Sequence, residues 1–435
     1  MNIAMISLYL PSETKMGVGY QAHAMANGFV ARGHSVTMFS ACAKPDGALY
    51  DYQRVDVGSS LRTFRFAWNL RKIDFSGFDV IHAHGDNYWL WSRRHRPPII
   101  RTMHGSCLAE AWRVPAVKEK FRMLLLYGAE ILATVVSDKT VCVSANTLKY
   151  YPGLKTVIPN GVDVAAFGPA AAVAARLQVT GDRLQGTVGL SPDGAGGGRE
   201  LKVERLGADE VTGDGRGHFH HRGDGGKGGD FTDQRSRITD QKLPVGTQSL
   251  EPVTRNLSPV TWPGGKAPVP TILFVGTYGN RKRGKLLMEV FARDVLPKLP
   301  EAQLWMVCSD APAAAGVCVL GRISQAELVE RYQRAWVFCL PSTYEGFGIP
   351  YIEAMAAGTA VVASPNVGAV EVTRNGQDGL IATDDKLGEA LVQVLADEVL
   401  RHKLEAAGRE RVKEFDLSRV CEKYEEIYTE LTKGE

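Results

Sequence analysis

The chain has 435 residues, room for two or three domains, with 44% hydrophobic and 23% charged residues as in an ordinary soluble protein. Its net charge of +3 gives no commitment to nucleic acid, and no nucleic-acid partner is expected. No run of about 18 apolar residues occurs, which speaks against a membrane-spanning helix. The start MNIAMISLYL lacks the basic first residues and long apolar core of a secretory signal, so a cytoplasmic location is expected. Seven cysteines (42, 107, 142, 308, 318, 339 and 421) are scattered without a CxxC pair, which suggests buried free thiols in a reducing compartment.

Residues 1–160 alternate apolar runs of strand length with helical patterns. IAMISLYL (3–10), SVTMFSA (35–41), FDVIHAH (78–84), IIRTMH (99–104) and TVCVSA (140–145) read as buried strands, and a helix closed by Gly33 separates the first two. Such alternation predicts a parallel α/β sheet. In KMGVGYQ (15–21), Gly17 and Gly19 would let backbone N–H groups approach a phosphate, or would simply form a turn. His82 and His84 share one face of their strand and read as packing residues or as supports for a side chain at the site. In WLWSRRHRPP (89–98), Trp89 and Trp91 stand beside Arg93, Arg94 and Arg96. This stretch fits either an exposed basic turn, the preferred reading, or a weak peripheral contact with an anionic membrane.

Between residues 170 and 268 the pattern collapses. This stretch holds 19 of the 46 glycines and only three aromatics, Phe219, Phe231 and Trp262. Without apolar periodicity it cannot offset the entropy of ordering, so a disordered insert is expected over 169–268. The cluster His218, His220 and His221 has no preformed geometry for a metal, and a solvated tether is the preferred reading. From 271 the strand–helix alternation restarts with TILFVGT, then AQLWMVCS (302–309), VCVLG (317–321) and the helix SQAELVERYQRA. Ser324 and Glu327 have capping-box spacing at the start of that helix. Helical patterns run from 385 to 432, with charged faces taken as solvated.

YEGFGIPYIEAMAAG (344–358) carries the clearest chemistry. Gly346 and Gly348 permit close backbone approach or positive φ, and Pro350 suits the first turn of a helix. N–H groups at that helix start favour an anion, with Glu345 on one side and Glu353 on the other. The combination suits a ligand with both phosphates and hydroxyls.

The second half resembles the donor-binding domain of the family 4 retaining glycosyltransferases, in ILFVGT (272–277), residues 321–364 and NGQDGLIAT (375–383). The first half is similar to that family in VIHAHG (80–85), RTMHGS (101–106) and VIPNGVD (157–163). The resemblance implies an α/β chain of the GT-B fold, two Rossmann-like α/β/α domains facing a central cleft, with an acceptor-side domain at 1–168 and a nucleotide-sugar domain at 269–435. It places Glu345 and His104 beside the reacting sugar, as catalytic residues. It places Glu353 on the ribose and the Phe347–Gly348–Ile349 turn on the diphosphate or sugar oxygens. The family's usual arginine after the strand glycine is replaced by Thr277. Arg281 or Lys282 is expected to take over its role, with Arg283 nearest the usual lysine's place. Asn160 is expected to shape the turn into the interdomain crossover.

By the same resemblance the chain is expected to be a hexosyltransferase that moves a sugar from a nucleoside-diphosphate donor to an acceptor hydroxyl with retention. The acceptor class is open among glycans, lipid-linked and small molecules, which leaves peripheral attachment to the inner face of a membrane as an option. No cofactor is expected and no metal site, since Asp-X-Asp, the metal clamp of the other main transferase fold, does not occur. The alternatives are a nucleotide-sugar epimerase of the same architecture and a catalytically inactive nucleotide-binding module.

Overall fold

The computed structural model describes residues 1–12, 17–59, 61–90, 96–112, 116–168 and 265–433. The Gly-rich stretch with its three histidines lies outside them, as do Trp91, Arg93 and Arg94 of the basic turn. Residues 265–268, expected to belong to the insert, already take part in packing. Ala267 is buried, and the Lys266 ammonium donates to the carbonyls of Ala335 and Gly358 at 2.8 and 3.0 Å.

The described chain forms two six-stranded sheets, each wholly parallel. The first consists of β1 (Asn2–Ile6), β2 (Ser35–Ser40), β3 (Asp51–Arg54), β4 (Val80–Ala83), β5 (Ile99–Met103) and β6 (Lys139–Cys142), in the order β3-β2-β1-β4-β5-β6. The second consists of β7 (Thr271–Val275), β8 (Gln303–Val307), β9 (Val317–Val319), β10 (Val337–Leu340), β11 (Ala360–Ala363) and β12 (Leu380–Ile381), in the order β12-β11-β10-β7-β8-β9. Counted from its own first strand, each sheet has the same doubly wound order. The chain reverses direction between β1 and β4 in one, and between β7 and β10 in the other. At such switch points the loops beyond the strand ends splay apart and leave a crevice for a ligand.

The central strands are buried on both faces, as their near-continuous apolar sequences require. The edge strand DYQR of β3 is polar and largely exposed, so it carried no apolar signal. The Ser324–Glu327 capping box forms with both reciprocal bonds, at the start of the helix Gln325–Arg334. None of the seven cysteines is in a disulfide, and five of them are buried.

The helix Leu417–Lys433 follows the second sheet in sequence but packs on the first lobe. Its Tyr428 hydroxyl meets His82 Nδ1 at 2.6 Å, and its Tyr424 hydroxyl meets Thr102 Oγ1 at 2.8 Å. Its apolar face therefore serves the other lobe, which the charged pattern of the sequence did not suggest. A second crossover is pinned where the Gln21 amide pairs with both backbone groups of Gly161, at 2.7 and 3.0 Å.

Candidate active site

The loops beyond β7 and β10 bring the basic run and the glutamates together at the second switch point. Glu345 is buried. Its Oε1 accepts from the Ser342 hydroxyl at 2.5 Å and from the Lys282 ammonium at 2.7 Å, while Arg281 lies 3.3 Å from Oε2. Burial alone would raise this carboxyl's pKa. Lys282 and Arg281 outweigh that effect and hold it below its ordinary value, so Glu345 is ionised. The Lys282 ammonium is in turn pushed down by burial, against the pull of Glu345. Arg281 also donates to the Tyr344 carbonyl at 2.8 Å, and the Arg281 carbonyl accepts from Thr343 N–H at 2.9 Å. The basic loop is thereby stitched to the loop that carries Glu345.

Arg283 is placed differently from its two neighbours. It adopts the left-handed backbone conformation (φ 55°) and turns its guanidinium onto Asp384 in a two-point contact at 2.6 and 2.9 Å. It also donates to the Pro341 carbonyl and to Ser364. This arginine fastens the loop to its surroundings, and Lys282 and Arg281 are the cations turned to the carboxylate.

Glycine is required at two positions around the 345–349 turn. Gly348 has φ 100°, and a Cβ there would stand 2.4 Å from the Tyr351 ring. A Cβ on Gly368 would stand 2.5 Å from the Phe347 carbonyl oxygen, so the helix Val367–Val372 lies against the 345–347 backbone. Phe347 itself is buried against Phe415, which leaves its backbone rather than its ring for ligand contact. Asn366 caps the helix Val367–Val372 and donates to the Ser342 carbonyl at 3.1 Å. Asn366 and Ser342 were not singled out in the sequence. The signals were there: an N-cap residue before an apolar helical run, and a serine three residues before Glu345.

Glu353 lies in the helix Ile349–Ala356, accepting from the Tyr332 hydroxyl at 2.9 Å. Burial pushes its carboxyl up to about 7, against the lowering effects of Tyr332 and Lys282. The Tyr20 hydroxyl of the first lobe, itself raised mainly by burial, also feels the Glu353 charge.

Across the cleft, Gly17 opens the helix Gly17–Ala31, and a Cβ there would be 3.3 Å from Ile349 Cδ1. The Gly17 end and the Phe347–Gly348–Ile349 turn are thus brought face to face. Gly19 instead lies against the backbone of its own lobe, where a Cβ would be 2.8 Å from the Tyr9 carbonyl. Gly346 completes the approach, since a Cβ on it would be 3.0 Å from the His104 carbonyl oxygen. His104 Nε2 bonds His84 Nδ1 at 2.9 Å, and the His82, His84 and His104 rings stack in sequence with centroids 4.5 and 5.2 Å apart. Burial lowers all three, His82 to about 3, His104 to about 4 and His84 well below the usual range, so all are neutral at pH 7. Asn160, expected only to shape a turn, bonds the His104 side chain. His84 and Asn160 are therefore the neighbours that hold the His104 ring.

Two doubly wound sheets with apposed glycine turns between them make this a protein of the GT-B class. The glycosyl transferases group 1 family model matches residues 264–411, and the glycosyltransferase family 4 model matches residues 16–166. The chain is 34% identical over 175 residues to the phosphatidyl-myo-inositol mannosyltransferase of Mycobacterium tuberculosis, covering 36% of this chain and 46% of that protein. It is 33% identical over 187 residues to the alpha-maltose-1-phosphate synthase of Mycolicibacterium smegmatis, covering 38% and 48%. It thus spans about half the length of the curated relatives it matches. Among solved structures, sucrose-phosphate synthase from Thermosynechococcus elongatus shares the fold over the full length of both chains, with TM-score 0.67 at 19% identity. Anabaena HepE in complex with UDP does so with TM-score 0.62 at 13% identity, covering 99% of this chain and 100% of that one. The chain belongs to the family 4, group 1 glycosyltransferases. These matches favour a glycosyltransferase over the epimerase and inactive-module readings.

Proposed function

We propose that this glycosyltransferase moves a hexose from a nucleoside-diphosphate donor to an acceptor hydroxyl with retention of configuration. The observation that carries the reading is the ionised Glu345 at the second switch point, flanked by Lys282 and Arg281 and by the glycine turn. The diphosphate would lie along Lys282, Arg281 and the backbone N–H groups of the 347–349 turn, with Gly17 opposite. Glu353 would accept from the ribose hydroxyls, since a carboxylate suits a vicinal diol. In the reaction the bond from the anomeric carbon to the diphosphate oxygen breaks, and the acceptor oxygen bonds to the same face of that carbon. The acceptor's proton passes to the departing phosphate. Negative charge grows on the diphosphate, where Lys282 and Arg281 stabilise it, and positive charge grows on the sugar, where Glu345 does so.

His104, neutral and hard to protonate, is a poor general base. Its environment suits a hydrogen-bonding wall for the sugar, which agrees with a route that takes its base from the substrate. We assign no metal to the reaction, because protein cations stand where a metal would neutralise the leaving group. The UDP bound by the structurally similar HepE supports a nucleoside diphosphate as the donor's leaving part. The test is a panel of nucleoside-diphosphate hexoses assayed for release of the nucleoside diphosphate, with the product anomer read by NMR. Turnover of one donor with retention is expected. Failure to turn over any donor, or an inverted product, overturns the reading.

A further inference from the structure

The largest unexplained feature of the first lobe is an apolar face turned to solvent. In the helix Val117–Val136 only Ala133 and Val136 are fully buried. Val117, Phe121, Leu124, Leu125, Leu132 and Val135 are exposed, Phe121 by 63% and Val135 by 77%. Their spacing of three and four residues puts them on one stripe of the helix, the arrangement of a core-facing helix pointed the other way. Trp112, 73% exposed just before it, carries the Lys120 ammonium 5.7 Å from its ring centroid.

A second helix, Arg62–Leu70, joins this one at a buried cluster of Ala67, Tyr88 and Ala133. It adds exposed Phe64 and Trp68 and the adjoining Leu61, which with Trp89 line an apolar groove of about 260 Å³. Between Leu61 and Lys72 the chain carries Arg62, Arg65, Arg71 and Lys72 and no acid. The other helix contributes Lys118, Lys120 and Arg122. Of its two acids, Glu119 pairs with Arg122 at 2.8 Å, and Glu130 accepts from Tyr151 and the Cys107 N–H.

We infer that this face, the helices Arg62–Leu70 and Val117–Val136 with Trp68, Trp89 and Trp112, docks the first lobe onto an anionic lipid bilayer. A protein partner would need a matching shape. A bilayer needs only what is on the surface: an apolar stripe to enter the headgroup region, indole rings at its edge, and surplus cations for the lipid charge. No helix among the described residues is long and apolar enough to cross a membrane, so the contact lies along the surface. It reuses Trp89 of the basic turn noted in the sequence but places the main contact on two helices. Docking of this kind is independent of the donor chemistry and can be tested without it.

The full-length protein is mixed with vesicles of phosphatidylcholine alone, or of equal parts phosphatidylcholine and phosphatidylglycerol, and binding is read by flotation. Binding to the anionic vesicles, weakened by salt, is expected. Arg65→Glu with Lys118→Glu should weaken it by about 30-fold or more. Phe121→Ser with Leu125→Ser should weaken it comparably while leaving the thermal midpoint within a few degrees, since both side chains are exposed. Equal binding to neutral vesicles, or unchanged binding by both variants, overturns the inference. So does a dimer in sedimentation that Phe121→Ser with Leu125→Ser dissociates in protein that ignores vesicles, because the face would then belong to a second copy of the chain.

Discussion

Beyond β1 and β4, at the first switch point, stand Gly17, His84 and Asp86, with His104 one strand further on. Burial keeps the histidines neutral and pushes Asp86 up to about 7. At the second, beyond β7 and β10, stand Arg281, Lys282 and an ionised Glu345. One strand order thus supports a wall of neutral histidines and a wall of paired charge. The topology provides the crevice, and the residues placed on its loops decide what it holds. If the charged wall carries the chemistry, damage to it should dominate.

The largest effect is therefore expected from Glu345→Gln, which keeps the shape and removes the charge. Loss of an electrostatic stabiliser of this kind costs about 100- to 1,000-fold in rate. Single-turnover transfer should fall by that factor while affinity for the nucleoside diphosphate changes little. Wild-type transfer by this variant would remove the distinction between the two walls.

Next comes Lys282→Ala, which should weaken nucleoside diphosphate binding by roughly 10- to 100-fold, the cost of a charge-assisted bond. Nucleoside binding should change much less, and calorimetry with both ligands separates them. Arg283→Ala should instead lower thermal stability through the loss of its Asp384 and Pro341 contacts. If Lys282 and Arg281 alone neutralise the leaving group, as proposed, transfer should persist in the presence of EDTA. Equal losses of nucleoside and diphosphate affinity in Lys282→Ala would mark it as another structural cation.

The two walls also differ in how far the sequence disclosed them. Glu345, Glu353 and the glycine turn could be read from a single segment, because strand, turn and helix signals succeed one another there. The direction of each cation could not be read. Arg281, Lys282 and Arg283 are consecutive, and only backbone geometry turns one toward Asp384 and another toward Glu345. The His104 environment was equally hidden, since His84, Asn160 and His104 come from three separate loops. The parallel sheets were legible from their apolar central strands, while the polar edge strand β3 and the two-residue β12 left no pattern to read. The helix Leu417–Lys433 was visible as a helix, but nothing local says which lobe its apolar face meets.

A smaller effect is expected from pH. The Glu353 carboxyl is raised to about 7, so at pH 6 it is mostly protonated and at pH 8 mostly ionised. If ribose hydroxyls donate to the ionised form, as proposed, nucleoside affinity should rise with pH toward 7 and level off above it. Below 7 the fall can reach at most about tenfold per pH unit, the limit for a single proton. Glu353→Gln should flatten the profile. A nucleoside alone, without phosphates that titrate nearby, is the ligand that isolates this group. An unchanged slope in the variant would assign the titration elsewhere.

The smallest effect is expected where charge is paired but not put to use in the cleft. Arg32 grips Glu425 of the helix Leu417–Lys433 at 2.7 and 2.8 Å, with Glu422 at 3.4 Å, and His34 adds a contact to the same carboxylate at 2.8 Å. The geometry is as good as that of Lys282 with Glu345, yet Arg32 and Glu425 remain partly exposed and water competes for both. The helix is held in addition by the buried Tyr424 and Tyr428 contacts and by apolar packing of Cys421 and Ile427. Arg32→Ala should then cost less than about 1 kcal/mol of stability, less still in high salt, and leave transfer rates intact. Urea unfolding of the variant at low and high salt measures it. A loss several times larger, or a drop in turnover, would mean that this surface cluster helps set the cleft, and that the first lobe contributes to the reaction through the helix it shares.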